Sequence, residues 1–251
     1  MRGAELGELR PERIALFLDV DGTLLDLAPR PDAVEVSAAL IDGLGAAADR
    51  LDGALALISG RAIGELDRLF SPLRLRAAGV HGAELRLRAN GADVHDALPP
   101  LPEGLWRDLQ RLLDRFPGTF AENKRSGFAV HYRFAPTVGR ELAPALSQLA
   151  ARFPEQDLVV MNGNMVFEIK QPGADKGEAI ERFMASVPFS RRVPVFIADD
   201  PVIDRSGFET ALALGGMSFS VGVELPGLTG CFAGPASVRS WLGRLGETVV
   251  R

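Results

Sequence analysis

The sequence predicts an α/β protein: a Rossmann-like, parallel-sheet core with an inserted α+β cap. Three observations lead there. Continuous apolar runs at Ile14–Leu18, Ala54–Ile58 and Val193–Ile197 stand among helical patterns, as strands buried on both faces do. Each run ends in polar, chemically capable residues: Asp19, Ser59-Gly60-Arg61 and Asp199-Asp200. Between residues 100 and 172 the pattern changes to helix, hairpin, helix, hairpin, which implies an antiparallel sheet with helices on one face. In parallel sheets ligands collect at the carboxyl ends of the strands, so the three polar clusters are expected at one edge.

The elements follow in chain order. Ile14–Leu18 is the first strand, Ala38–Leu51 an Ala- and Leu-rich helix, and Ala54–Ile58 the second strand. Glu103–Phe116 carries Leu105, Leu109, Leu112, Leu113 and Phe116 at helical spacing and ends before Pro117. Phe120–Lys124 and Phe128–Phe134 read as strands joined across Arg125-Ser126-Gly127, and Leu142–Phe153 as a helix. Leu158–Met161 and Met165–Ile169 flank Asn162-Gly163, a strong signal for a hairpin turn. Pro99, Pro100 and Pro102, then Pro172-Gly173, punctuate the two crossings. The expected division is therefore 1–99 with 173–251 as core and 100–172 as cap. Alternation along the cap strands sets Glu122, Lys124, His131, Arg133, Glu168 and Lys170 on one face. That face is either a solvated one with cross-strand ion pairs or, in a cap that closes over a site, a substrate clamp.

With 251 residues and 47% apolar content, the chain is long enough for a substantial core. A formal charge of −5 without a basic run argues against nucleic acid as a partner, though not against a small anionic metabolite. The single cysteine, Cys231, allows no internal disulfide and points to a reducing compartment. Met1 to Arg13 has no apolar signal core, and no stretch approaches membrane-spanning length. The expectation is a cytoplasmic monomer with no membrane partner.

The chemistry centres on Asp19-Val20-Asp21-Gly22-Thr23-Leu24. Two carboxylates one residue apart, where a buried strand gives way to a turn, can converge on a hard divalent ion such as Mg²⁺. The plainer reading is a helix-capping Asp beside a turn Asp-Gly. On the catalytic reading Asp19 is the nucleophile. Asp21 is then the general acid that protonates the leaving sugar oxygen and later activates water, its backbone carbonyl a further metal contact. Ser59 either donates to a phosphoryl oxygen or caps a helix, and Arg61 either reaches phosphate or stays on the surface. Lys176 is either a solvent-exposed lysine or the cation that offsets repulsion between Asp19 and an anionic substrate. Asp199 and Asp200 follow a buried strand, where unpaired carboxylates are costly and a metal removes the cost. Asp199 is the expected ligand, with Asp200 and Asp204 behind it.

The ordered set Asp-x-Asp-Gly-Thr, Ser, Lys, Asp-Asp resembles the haloacid-dehalogenase superfamily of phosphotransferases. Gly79-Val80-His81-Gly82-Ala83-Glu84, Glu122-Asn123-Lys124, His131-Tyr132-Arg133 and Glu168-Ile169-Lys170 narrow the resemblance to the trehalose-6-phosphate phosphatase family. The resemblance implies a Mg²⁺-dependent enzyme that converts trehalose 6-phosphate to trehalose and phosphate through an aspartyl phosphate. It also implies that Glu122, Lys124 and Glu168 hold the glucose hydroxyls remote from phosphate. Arg133, His131, His81 and Glu84 either orient the cap or border the phosphate. One departure stands out. The family's Gly-Asp-Asp followed by Thr-Asp-Glu is here Ala198-Asp199-Asp200-Pro201-Val202-Ile203-Asp204-Arg205, so Ile203 and Arg205 replace Thr and Glu around Asp204. Competing readings are a phosphatase for mannosyl-3-phosphoglycerate or sucrose phosphate, and a non-catalytic sugar-phosphate sensor.

Overall fold

The computed structural model describes residues 10–27, 34, 36–92, 94–96, 98–124, 126–163 and 165–246. Arg125, expected in a strand connection, and the first nine residues of the polar segment Met1 to Arg13 lie outside them. The chain forms two compact units, Met1–His95 with Asp175–Arg251 and Asp96–Ala174.

Among the described residues, one sheet has eight strands in the order β12-β11-β10-β1-β2-β3-β4-β5. They are β1 (Ile14–Leu18), β2 (Leu55–Ile58), β3 (Arg76–Gly79), β4 (Glu84–Arg86), β5 (His95–Asp96), β10 (Val193–Ala198), β11 (Met217–Val221) and β12 (Gly230–Phe232). The strands from β12 to β3 run parallel, and β4 turns back antiparallel on β3. β1 is central. All five of its residues are buried although their side chains alternate between faces, so the sheet is covered on both sides there. Leu18 pairs with Ile197 on one neighbour and Leu57 on the other, and Asp19 N–H donates to Ile197 O at 3.0 Å. The exits of β10, β1 and β2 therefore lie side by side. This register is what gathers the three polar clusters.

The helices of this unit are α1 (Ala38–Arg50), α2 (Ile63–Leu69), α5 (Lys176–Met184), α6 (Arg205–Ala213) and α7 (Pro235–Gly246). Ser37 caps α1 by accepting from Leu40 N–H, and Asp175 caps α5 by accepting from Glu178 N–H. α1 packs on α7 and α5 on α6. Phe17 stacks on Phe189, with ring centroids 5.3 Å apart, and Phe183 lies against both rings.

The second unit has the antiparallel order β6-β7-β9-β8, with β6 (Phe120–Asn123), β7 (Gly127–His131), β8 (Val159–Gly163) and β9 (Val166–Lys170). Phe128, Val130, Phe167 and Ile169 form its core with Leu105 and Leu109 of α3 (Glu103–Leu113) and Leu142 and Leu146 of α4 (Gly139–Ala150). Cross-strand rows on the other face read Glu122, Ala129, Glu168, Met161 and then Phe120, His131, Val166, Gly163. One face is thus apolar and helix-covered while the other carries the acids.

The second hairpin departs from expectation. Gly163 pairs with Val166, so Asn162-Gly163 belongs to the strand and the reversal comes two residues later, with Met165 at φ 60°. This register sets Val160 opposite Ile169 on the helix-covered face, and long-range apolar pairing outweighs the local turn preference. α3 ends at Leu113 rather than Phe116, and α4 begins at Gly139 rather than Leu142.

Arg86 is a fully buried cation that ties β4 to the core. Its Nε and Nη2 donate to Leu75 O at 2.9 and 2.7 Å, and Nη1 donates to Asp67 Oδ2 at 2.8 Å. Burial alone would raise the Asp67 carboxyl, but hydrogen bonds from Arg86 and Arg74 outweigh it and hold that group below its usual range. A lowered folded value means this contribution is complete above the unfolded carboxyl value and is lost as pH falls through the folded one. Arg86→Met should destabilise the chain by about 3 kcal/mol in urea unfolding, whereas Arg74→Ala, an exposed partner of the same acid, should cost under about 1 kcal/mol. Equal losses would show that burial of Arg86 does not set the difference.

Candidate active site

Asp19 leaves β1 nine-tenths buried or more, and the chain then turns tightly. Thr23, Leu24 and Leu25 N–H all return to Val20 O, and Gly22 N–H donates to Leu25 O at 2.8 Å. Gly22 has φ 80°, and a Cβ there would collide with the Asp199 carboxylate. The turn thus uses the missing side chain twice, for its backbone and for the approach of Asp199.

Lys176 is the first residue of α5 and is 2% exposed. Its Nζ donates to Asp19 Oδ1 at 2.6 Å and forms an ion pair with Asp204 Oδ1. Desolvation opposes the charge on Lys176, but Asp19 and Asp204 overcome it and raise its pKa, so the ammonium is held. Carboxylate oxygens of Asp19, Asp199 and Asp204 all lie within 4.8 Å of one another. Burial pushes the Asp19 carboxyl well up; Lys176 opposes this, while Asp204 and Asp199 add to it. Asp199 is pushed up to about 6, by burial first and then by Asp204. Thr23 Oγ1 donates to Asp199 Oδ1 at 3.4 Å. Crowded, partly desolvated oxygen donors facing one cation suit a second, hard cation.

The remaining expected residues fall into distinct places. Asp21 does not join the three carboxylates. Arg61 grips it with both arms of its fork, Nε to Oδ2 at 2.7 Å and Nη2 to Oδ1 at 2.6 Å. Arg61 is accordingly buried rather than a surface residue. Ser59 is buried at the exit of β2 and accepts from Arg61 N–H at 3.1 Å. It is not a helix cap, since α2 starts at Ile63 after Ala62. Asp204, expected behind the ligands, brings its carboxylate into the cluster. Asp200 makes that possible: its Oδ1 accepts from Val202 and Ile203 N–H, and its own N–H donates to Asp204 Oδ2 at 2.9 Å. The family's Thr and Glu positions, here Ile203 and Arg205, thus flank an acid held by backbone hydrogen bonding.

His81 is buried beside Gly60. Glu84 has a role that motif reading left open: its Oε2 accepts from Ile63 N–H at 2.7 Å and so caps α2 from another strand. The only sequence signal was its place in the Gly79–Glu84 motif.

In the second unit, Lys124 Nζ lies 3.8 Å from Glu168 Oε1, and His131 Nε2 lies 3.4 Å from Glu122 Oε2. Glu122 and Glu168 share one cross-strand row with Ala129 between them, and Arg133 follows β7 in a turn. Among the described residues no helix is long and apolar enough to cross a membrane.

Comparison with known proteins agrees with this geometry. Residues 17–224 match the family described as trehalose-phosphatase. The chain is 41% identical over 235 residues to the trehalose-6-phosphate phosphatase of Escherichia coli (strain K12), spanning 92% of this chain and 85% of that protein. It is 40% identical to a probable trehalose-phosphate phosphatase of Sinorhizobium fredii, over 84% of this chain and 79% of that one. The solved C-terminal domain of C. albicans trehalose-6-phosphate phosphatase shares the fold, with a TM-score of 0.78 at 19% identity over 94% of this chain and 92% of that one. With its strand exits, buried lysine and acids in this order, the chain belongs to the trehalose-phosphatase family.

Proposed function

We propose that the chain is a Mg²⁺-dependent phosphatase that hydrolyses trehalose 6-phosphate to trehalose and phosphate through a phosphoryl-aspartate on Asp19. The observation that carries this reading is the buried Asp19–Lys176–Asp204 ion-pair cluster beside Asp199, in a member of that family. One ammonium against three carboxylates leaves the cluster net negative, so it suits an anionic substrate only together with a divalent cation.

Asp19 attacks phosphorus and the bond to the sugar oxygen breaks. That oxygen takes its proton from Asp21. Water then attacks the phosphorus of the phosphoryl-aspartate, giving up a proton to Asp21, and Asp19 is regenerated as phosphate leaves. Arg61 bears on the timing. An incoming phosphate offers the same planar fork-to-oxygen geometry as the Asp21 carboxylate, so transfer of the fork to phosphate frees Asp21 for proton transfer. Ser59 and Lys176 hold the remaining phosphoryl oxygens.

The donor set fits a hard divalent ion, because three carboxylates converge and Gly22 leaves room for Asp199. Asp19, Asp199 and Asp204 would hold Mg²⁺, which when bound neutralises charge on the transferring group. The cap unit, Asp96–Ala174, supplies sugar recognition: Glu122, Lys124 and Glu168 take the glucose hydroxyls by charge-assisted hydrogen bonds, with Arg133 at the margin.

Phosphate release from trehalose 6-phosphate tests the reading. Wild type should release it readily, lose activity in EDTA and regain it with added Mg²⁺. Comparable turnover of sucrose phosphate and mannosyl-3-phosphoglycerate would overturn the substrate assignment. Asp19→Asn should cost about 10⁴-fold or more in kcat while the protein stays folded, and persistent turnover would exclude a covalent role. Glu168→Gln should lower kcat/KM for trehalose 6-phosphate roughly 10- to 100-fold, the worth of a charged hydrogen bond to substrate.

A further inference from the structure

We infer that Val80-His81-Gly82 is a conformationally strained bracket that sets the positions of Ser59, Arg61 and Lys176 together, with His81 as its positioning residue. The inference rests on the functional reading above and extends it to residues that do not touch the reacting atoms.

Three consecutive residues here occupy positive φ: Val80 at 48°, His81 at 56° and Gly82 at 111°. Glycine adopts such angles freely. A β-branched valine does so only where its surroundings over-determine it. The surroundings are explicit. Val80 N–H donates to Arg61 O at 3.0 Å and His81 N–H donates to Ser59 O at 2.9 Å, so adjacent amides grip the carbonyls on either side of Gly60. The Val80 side chain is buried as well. Left-handed backbone at these residues turns successive N–H groups toward one loop, which an extended strand would not do.

The His81 ring packs against the same loop. A Cβ placed on Gly60 would lie 2.6 Å from His81 Nε2 and 2.7 Å from Cε1, so ring and loop are in close contact. Gly60 does not have positive φ, and alanine there is excluded by the ring rather than by the backbone. On its far side the bracket abuts Asp175, the residue before the lysine. A Cβ on Gly82 would lie 2.6 Å from Asp175 O, and Asp175 is the cap of the helix that begins with Lys176. One short segment therefore references the Ser59–Arg61 loop and the Lys176 helix to a common point. A shift of about 1 Å in such groups is enough to cost about a hundredfold in rate.

The test is a double-mutant cycle, run on whichever phosphate ester wild type hydrolyses fastest, so that a substrate other than trehalose 6-phosphate counts against the functional reading alone. His81→Asn keeps a residue that tolerates left-handed backbone but withdraws the ring. It should lower kcat about a hundredfold with KM changed less than about threefold. Gly60→Ala should lower kcat comparably, and Gly60→Ala/His81→Asn should be no worse than His81→Asn alone, because the methyl enters space the ring has left. In an Arg61→Ala background, His81→Asn should cost about tenfold rather than a hundredfold, since part of its effect runs through Arg61 and the rest through Ser59 and Lys176. Losses that multiply in either cycle, or a His81→Asn variant with wild-type kcat, would overturn the inference. Should His81→Asn fail to fold, Gly60→Ala decides in the same two backgrounds: a kcat loss that Arg61→Ala diminishes supports the bracket, and wild-type kcat or an undiminished loss overturns it.

Discussion

The rest of the site depends on one buried ammonium. Lys176 sits between Asp19 and Asp204 at the edge of the central sheet, where three carboxylates come within 4.8 Å of one another. Carboxylates brought that close out of water repel each other and lose hydration, and without a cation the strand exits could not hold them. The lysine makes the cluster tenable, and it is itself fixed by backbone: it is the first residue of a helix whose cap is Asp175. Charge, helix start and strand register thus define one point in space, the point we propose receives the phosphoryl group.

Much of this was legible in the sequence because buried parallel strands are nearly continuous in apolar character. Ile14–Leu18, Ala54–Ile58 and Val193–Ile197 each announced a strand, and each was followed by its chemistry. The order β10-β1-β2 then sets those exits side by side. Several strands escaped notice, Met217–Val221 and Gly230–Phe232 among them, and two others have little intrinsic character. Arg76–Gly79 is Arg-Ala-Ala-Gly and Glu84–Arg86 spans three residues, so pairing with neighbours rather than propensity makes them strands. The Asn162-Gly163 turn failed for the converse reason: a strong local preference gave way to apolar register across the sheet.

Side-chain partnerships were harder to read than elements. Asp19 and Asp21 are two residues apart, yet one faces Lys176 and the other is held by Arg61. Strand alternation would put residues two apart on one face; it is the tight turn beyond Leu18 that sends them to different partners. Asp204 joins the acidic cluster because Asp200 folds the intervening loop back on itself, a local hydrogen-bond pattern that spacing alone did not disclose. Glu84 serves the amide of a helix from a different strand, and no motif position states that. In the second unit, period-2 alternation did reveal the face that carries Glu122 and Glu168, since one side of that sheet must be apolar to receive its helices.

On the function proposed, the buried cluster exists to let Asp19 become phosphorylated. Rapid acid quench of the enzyme during turnover of radiolabelled trehalose 6-phosphate, followed by peptide mapping, measures this directly. Label on the peptide that contains Asp19, appearing before the steady state and disappearing as substrate is spent, is the predicted result. Phosphate released at full rate with no label on that peptide at any time would contradict the account.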